Sequence, residues 1–322
     1  MKRNNGFDYE SVLVTGGAGF IGSHIATALA ASGRCVEVID DLSAGDPSRV
    51  PSGVRLHLGD VRSEADLARV FASCPFETIV HCAAQTSVER SMKEPELDRD
   101  INVGGTRRLS DFANGAGVKR IVFASSGGAI YGDSRSAASE STRPAPRSNY
   151  GRHKLEAERL LLAGGVPCAA LRFSNVYGPG QRADAEGGVV AIFLDRLAEG
   201  EPLDVHGDGR QVRDFVHVSD VVNAVLLALE GSLTGVWNVA SGEATSIRRL
   251  VEELAALAGQ VVQVRRLPRR PGDVGRSLLD PRKLVSIGWG PPLPLVEGLR
   301  LTMESSRIAA PAATPAIVSS PI

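Results

Sequence analysis

Tyr150 and Lys154 stand four positions apart in YGRHK. On a helix that spacing puts both side chains on one face. A phenol with a pKa of about 10 is a poor base at neutral pH. An ammonium about 5 Å away, at an effective dielectric near 20, stabilises the phenolate by roughly 3 kcal/mol, about two pKa units. A tyrosine tuned in this way can take a proton from a hydroxyl and return it near working pH. A second set of hydroxyls lies upstream. In FASSGGAIYG (123–132), Ser125 and Ser126 end an apolar run, two glycines follow, and then Tyr131. The hydroxyl run by itself leaves open which tyrosine reacts.

A phosphate-binding turn accompanies this chemistry. VTGGAGFIGSH follows an apolar run and opens a helical one, with Gly16, Gly19 and Gly22 spaced as GxxGxxG. Glycines there permit a tight turn, close approach of backbone N–H groups to a pyrophosphate, and tight packing of helix on strand. The helix then turns its positive end to the phosphates. Asp40 and Asp41 end the next strand pattern. Asp40 is expected to accept both ribose hydroxyls of an adenosine, and its charge repels a 2′-phosphate, which favours NAD over NADP. Asp60, in LGDV, is expected to meet the adenine.

The elements that must hold these residues alternate. Strands are expected at 11–16, 35–40, 55–60, 78–84, 119–126 and 168–174, and helices at 23–33, 64–73, 98–115 and 150–163. Near-continuous apolar strands alternating with helices imply a parallel sheet covered on both faces. The fold class is α/β: a Rossmann-type doubly wound parallel sheet with a smaller C-terminal substrate lobe. Residues 10–180 are expected to form the cofactor domain. Residues 181–303 are expected to form mainly the lobe, with helices near 189–198, 219–230 and 246–258 and some segments returning to the sheet. Residues 304–322, rich in Pro, Ala and Ser, and the first nine or so are expected to be disordered.

Composition narrows the function classes. The chain has 322 residues, 36 Lys plus Arg against 37 Asp plus Glu, and a net charge of −1. No global charge draws it to nucleic acid or to an anionic membrane. Four cysteines lie in or near apolar runs without CxxC spacing, as reduced thiols do. The six histidines lack metal-ligand spacing, so no metal is expected. No signal-peptide core or membrane-length apolar run is present, and a cytoplasmic protein is expected.

The motifs GGAGFIGSH, GDV, HCAAQTSV, NVGGT, SSGGAIYG, YGRHK, RFSNVYGPG, RQVRDFVHV and RPGD occur in this order over about residues 10–303. With them the chain resembles the extended short-chain dehydrogenase/reductases, and among these the NAD-dependent nucleotide-sugar epimerases of the UDP-glucose/UDP-galactose 4-epimerase kind. The resemblance implies that Tyr150, not Tyr131, is the base, assisted by Lys154. It implies cofactor contacts along Gly16, Gly19, Phe20, Ile21 and Gly22, at Asp40, Asp41, Asp60 and Val61, and at Ala83, Ala84, Asn102, Ser125, Tyr150 and Lys154. It implies substrate contacts from Ser126, Gly127, Tyr150, Asn175, Arg213, Arg270 and Asp273, the arginines meeting the diphosphate. His217 and Asp220 are expected to order a loop and cap a helix.

One departure stands out. The family places Ser or Thr four residues before Tyr131, and here that position is Gly127. Ser126 is the preferred substitute, with Ser125, or Tyr150 alone, left open. A Gly127→Ser change is expected either to restore the family arrangement or to clash with the sugar. Related 4,6-dehydratases follow the hydroxyl with an Asp-Glu pair, and here Gly128 and Ala129 offer no acid or base for elimination. Arg90 and Arg182 are expected either to be solvated or to receive a sugar carboxylate. The implied activity is 4-epimerisation of a UDP-hexose through a transient 4-keto sugar, by an isomerase that retains its NAD and forms a homodimer. The alternatives are a UDP-glucuronate/UDP-galacturonate 4-epimerase, a nucleotide-sugar dehydratase or reductase, or a non-catalytic NAD-binding protein.

Overall fold

The computed structural model describes residues 10–134, 136–183, 188–269 and 274–305; Arg270, Asp273 and 306–322 lie outside the described residues. The chain opens with β1 (Ser11–Thr15), α1 (Phe20–Ala31), β2 (Cys35–Asp40), β3 (Arg55–Leu58), α2 (Glu64–Ser73) and β4 (Thr78–His81). Next come α3 (Val88–Lys93), α4 (Pro95–Arg99), α5 (Thr106–Gly115), β5 (Arg120–Ser126), α6 (Gly127–Ile130), α7 (Asn149–Leu162) and β6 (Cys168–Phe173). The later part holds β7 (Asn175–Tyr177), α8 (Val189–Glu199), β8 (Leu203–His206), β9 (Val212–Arg213), β10 (Phe215–His217), α9 (Val218–Glu230) and β11 (Gly235–Val239). It ends with β12 (Thr245–Ser246), α10 (Ile247–Ala258), β13 (Val264–Leu267), α11 (Arg282–Val285) and α12 (Leu295–Ser305).

Among the described residues, seven strands form one sheet in the order β11-β6-β5-β4-β1-β2-β3. Every pairing in it is parallel. Side chains alternate across each strand, so β1 serves two cores. Val12 and Val14 pack with Ile25, Leu29, Val221 and Val225 of α1 and α9, whereas Leu13 faces Leu67, Leu109 and Leu161 of α2, α5 and α7. A third core joins α8, α10 and α12 through Phe193, Leu254 and Leu299. Three two-stranded pairings, β10 with β7, β12 with β9 and β13 with β8, belong to the later part of the chain.

Two expectations change. The helix expected over 98–115 is interrupted: α4 ends at Arg99, Asp100–Gly105 forms a π-helical turn, and α5 follows. Asn102 inside that turn spends its amide on Gln85 O at 3.0 Å and Asp98 Oδ1 at 3.1 Å. Wide turns of this kind often mark functional segments. At the carboxyl end, Glu304 and Ser305 belong to α12 rather than to a tail. No helix among the described residues is long and apolar enough to cross a membrane.

Candidate active site

The sheet order reverses between β1 and β4, and ligands of open α/β sheets bind where strand order reverses, at the carboxyl ends. A cleft of about 960 Å³ lies there. Gly16 takes φ +66°, and a β-carbon on it would stand 2.7 Å from Ala83 N. A β-carbon on Gly22 would stand 2.1 Å from Gly16 O. The first helical turn therefore packs on the strand end with no side chain between. Asp40 fixes this turn from below: its Oδ2 accepts from Ala18 N at 2.9 Å and its Oδ1 from Leu42 N at 2.9 Å. Burial pushes the Asp40 carboxyl up from its ordinary value, and those backbone donors oppose the shift. Each oxygen keeps a lone pair for a ligand hydroxyl. Asp41 Oδ1 accepts from Ser43 N and Oγ, and Asp60 is held by Arg62 at 2.6 Å. Gly19, Phe20, Ile21, Asp41, Asp60, Val61, Ala83 and Ala84 all line the cleft. A turn that only glycine can form, followed by a carboxylate, fits NAD.

Helix α7 starts where Ser148 caps it, with Ser148 Oγ accepting from Gly151 N at 3.1 Å. That puts Tyr150 in the first turn, at the cleft wall with Ser126 and Lys154. The Ser126 hydroxyl is the hydrogen-bonding neighbour that favours the Tyr150 phenolate. Burial outweighs it and pushes Tyr150 up to about 12. Lys154 is not among the groups that shift Tyr150, so the expected lowering is not found. Lys154 is itself 3% exposed, burial draws it down to about 8, and its ammonium sits 4.1 Å from the Phe123 ring centroid. Below it, His81 is buried between Thr15 and Thr106 at 2.7 and 2.9 Å. Thr106 Oγ1 donates to Asn102 O, so it accepts from His81 Nε2, and Nδ1 accepts from Thr15.

The two serines divide. Ser125 Oγ donates to Glu158 Oε2 at 2.8 Å, and Glu158 is paired with Arg172 at 2.6 Å, both buried. The hydroxyl of Ser125 is thus committed to the packing of α7 on the sheet, although the residue borders the cleft. Tyr131 is buried off the cleft wall. Its hydroxyl donates to Asn238 Oδ1 at 2.9 Å, and the Arg172 guanidinium lies 4.8 Å over its ring.

Other expected residues fall in different places. Asn175 and Arg213 line the cleft, with Arg213 NH1 donating to Val274 O at 2.7 Å. Gly127 does not line it. It opens α6, and a β-carbon there would meet Leu279 Cδ2 at 2.2 Å. A side chain at this position would meet Leu279 first, so Leu279 must shift before a serine fits there. Asn102 lies behind the wall, spent on Gln85 and Asp98. Arg182 lines the cleft and reaches Ala44 O at 3.4 Å, beside the loop after Asp40. Arg90 lines the cleft and pairs with Glu94 at 3.5 Å. His217 accepts from Ser219 at the start of α9, and Asp220 accepts from Leu293 N at 3.0 Å. Sequence reasoning missed Gln85, Phe173 and Ser174, all on the cleft wall. Ser174 Oγ is buried there without a partner. The motifs HCAAQTSV and RFSNVYGPG contained these three residues; what the sequence lacked was their direction.

The family described as NAD dependent epimerase/dehydratase matches residues 12–240. The UDP-glucose 4-epimerase of Mycolicibacterium smegmatis is 38% identical over 92% of this chain and 98% of its own. The crystal structure of the Thermotoga maritima UDP-glucose 4-epimerase with UDP-glucose superposes with a TM-score of 0.89 at 39% identity, covering 92% of this chain and 99% of that one. The Thermus thermophilus UDP-glucose 4-epimerase in complex with NAD gives 0.88 at 41% identity, with the same coverage of 92% and 99%. The chain belongs to the NAD-dependent epimerase/dehydratase family, as an extended short-chain dehydrogenase/reductase of the nucleotide-sugar epimerase type.

Proposed function

We propose that this enzyme interconverts the 4-epimers of a UDP-hexose of the glucose/galactose type, with NAD retained between turnovers. The observation that carries the reading is that Ser126, Tyr150 and Lys154 line one cleft, while Gly128 and Ala129, which follow Ser126 in the chain, bring no carboxyl. Tyr150 Oη receives the proton of the sugar 4-hydroxyl as carbon 4 is oxidised. It returns the proton when the keto group is reduced on its other face. Ser126 orients or relays that proton, since a hydroxyl both donates and accepts. Lys154 brings a buried ammonium to the same cleft wall. NAD bound along the glycine turn supplies acceptance and return of the hydride. Asp40 favours NAD over its 2′-phosphorylated form by charge. Arg213 and Asn175 hold the diphosphate end, which leaves the sugar free to turn.

The test is incubation with UDP-glucose and, separately, UDP-galactose, with product stereochemistry read by NMR. The same mixture from either side, without accumulating NADH or a 6-deoxy product, is expected. Failure to interconvert the pair overturns the reading. Arg90 on the cleft wall favours a second reading, in which the hexose carries a carboxylate at carbon 6; turnover of UDP-glucuronate in preference to UDP-glucose would establish it. We also propose a homodimer, on family resemblance alone, and light scattering tests it.

A further inference from the structure

The Asp98 side chain is fully buried, at the end of α4. Its Oδ1 accepts from Gln85 Nε2 at 2.5 Å and from Asn102 Nδ2 at 3.1 Å. Its Oδ2 accepts from His153 Nδ1 at 2.5 Å. Gln85 in turn closes on Ser87, donating to its carbonyl at 2.9 Å and accepting from its N–H. Gln85 and Ser87 both line the cleft. His153 lies one helical turn from Tyr150. One carboxylate thus joins the loop that borders the cleft, the π-helical turn and the catalytic helix. At the surface Arg99 and Glu156 tie α4 to α7 a second time, at 2.6 Å.

The charge of Asp98 reaches both reacting groups, opposing the Tyr150 phenolate and favouring the Lys154 ammonium. Cys82 and Glu158 act on Lys154 more strongly than Asp98 does, and Ser126 acts on Tyr150 more strongly. Glu158, on α7, also favours the ammonium, but Arg172 on β6 pairs with it. Cys82 and His81, at the end of β4, are kept uncharged by burial. Burying an anion is costly unless donors meet it, and here three do.

We propose that Asp98 is the positioning residue of this active site, holding the catalytic helix through His153 and the cleft loop through Gln85 with a buried charge that also acts on Tyr150 and Lys154. The proposal rests on Tyr150 as the acid–base group. Asp98→Asn keeps the shape and an oxygen for Gln85 and Asn102 while losing the charge. The readout is the ultraviolet phenolate absorbance of the NAD-loaded enzyme, with the same protein carrying Tyr150→Phe subtracted. Its midpoint is expected to fall by about one pH unit in Asp98→Asn. His153→Gln keeps the charge and cuts the link to the helix. There the midpoint should not fall, while kcat drops about tenfold and KM for the UDP-sugar stays within about twofold. A midpoint that does not move in Asp98→Asn, or that falls equally in His153→Gln, overturns the proposal. If Asp98→Asn does not fold, unchanged kcat in His153→Gln overturns it alone. The absorbance requires no sugar, so it is independent of the functional reading, which fails instead if Tyr150→Phe turns over at the wild-type rate.

Discussion

Leu279 Cδ2 occupies the space that a side chain on Gly127 would need, 2.2 Å from its β-carbon position. Leu279 is buried, at 1% exposure, so it has little room to retreat. Gly127→Ser is therefore expected to cost about 1–3 kcal/mol of stability, as overpacked cores do, and to give no gain in turnover. Adding Leu279→Ala should restore part of the lost stability without raising kcat. Denaturant midpoints and initial rates on the same preparations check both.

The neighbouring serines should separate two properties. Ser126→Ala is expected to lose about ten- to a thousandfold in turnover if the hydroxyl relays the proton, with the melting temperature nearly unchanged. Ser125→Ala should keep most of its turnover and lose about 1–3 kcal/mol of stability, because it strips a donor from buried Glu158. The opposite pattern would show that Ser125 is the working hydroxyl.

Lys154 has a folded pKa of about 8 against an ordinary 10.5. Below about pH 8 it is charged in both states, and burying it costs up to about 3 kcal/mol. Between about 8 and 10.5 the unfolded chain holds more protons, so this cost is relieved as pH rises. Lys154→Met is expected to raise stability at neutral pH, to flatten its rise across that window, and to abolish turnover. Urea melts at a series of pH values would reveal the relief.

His81 is drawn down to about 3 by burial. It stays neutral in the fold while the unfolded chain protonates below about pH 6.5. Stability present above that pH is lost as pH falls toward 3. His81→Leu should weaken the acid dependence, although Thr15 and Thr106 then lose a partner. An unchanged slope of stability against pH in that variant would assign the acid loss to other groups.

Asp40 holds the turn geometry, and in the proposed function it also sets cofactor choice. Asp40→Asn is expected to weaken NAD binding about tenfold and to narrow the preference over NADP. Asp40→Ala should also destabilise the glycine turn, since it removes the acceptor for Ala18 N. Calorimetric titration with both nucleotides checks this, and equal affinity for the two in the unmutated enzyme would refute it.

Most of the sheet was legible because its strands are unbroken apolar runs. The glycine turn was legible because its spacing, the strand before it and the acid after it are all local. Tyr150 with Lys154 was legible as a helical spacing. Three things were not. The π-helical turn at Asn102 depends on where its amide bonds, which the apolar periodicity of 98–115 does not record. The pairing of Asp98 with His153 joins residues from separate helices. The ionisation of Tyr150 follows burial rather than its distance to a lysine, and burial is a property of the finished fold.

The last strand of the sheet has a consequence for how the protein is made. β11 covers the edge of β6, yet it is synthesised only after α8 and α9. Until it emerges, Cys168–Phe173 presents bare N–H and C=O groups along a strand that is fully buried in the finished fold and apolar except for Arg172. Such an edge is a template for pairing with other chains. A growing polypeptide of this sequence must shield that edge on the ribosome. A fragment cut after residue 180 would be an aggregating stub rather than a portable cofactor-binding module.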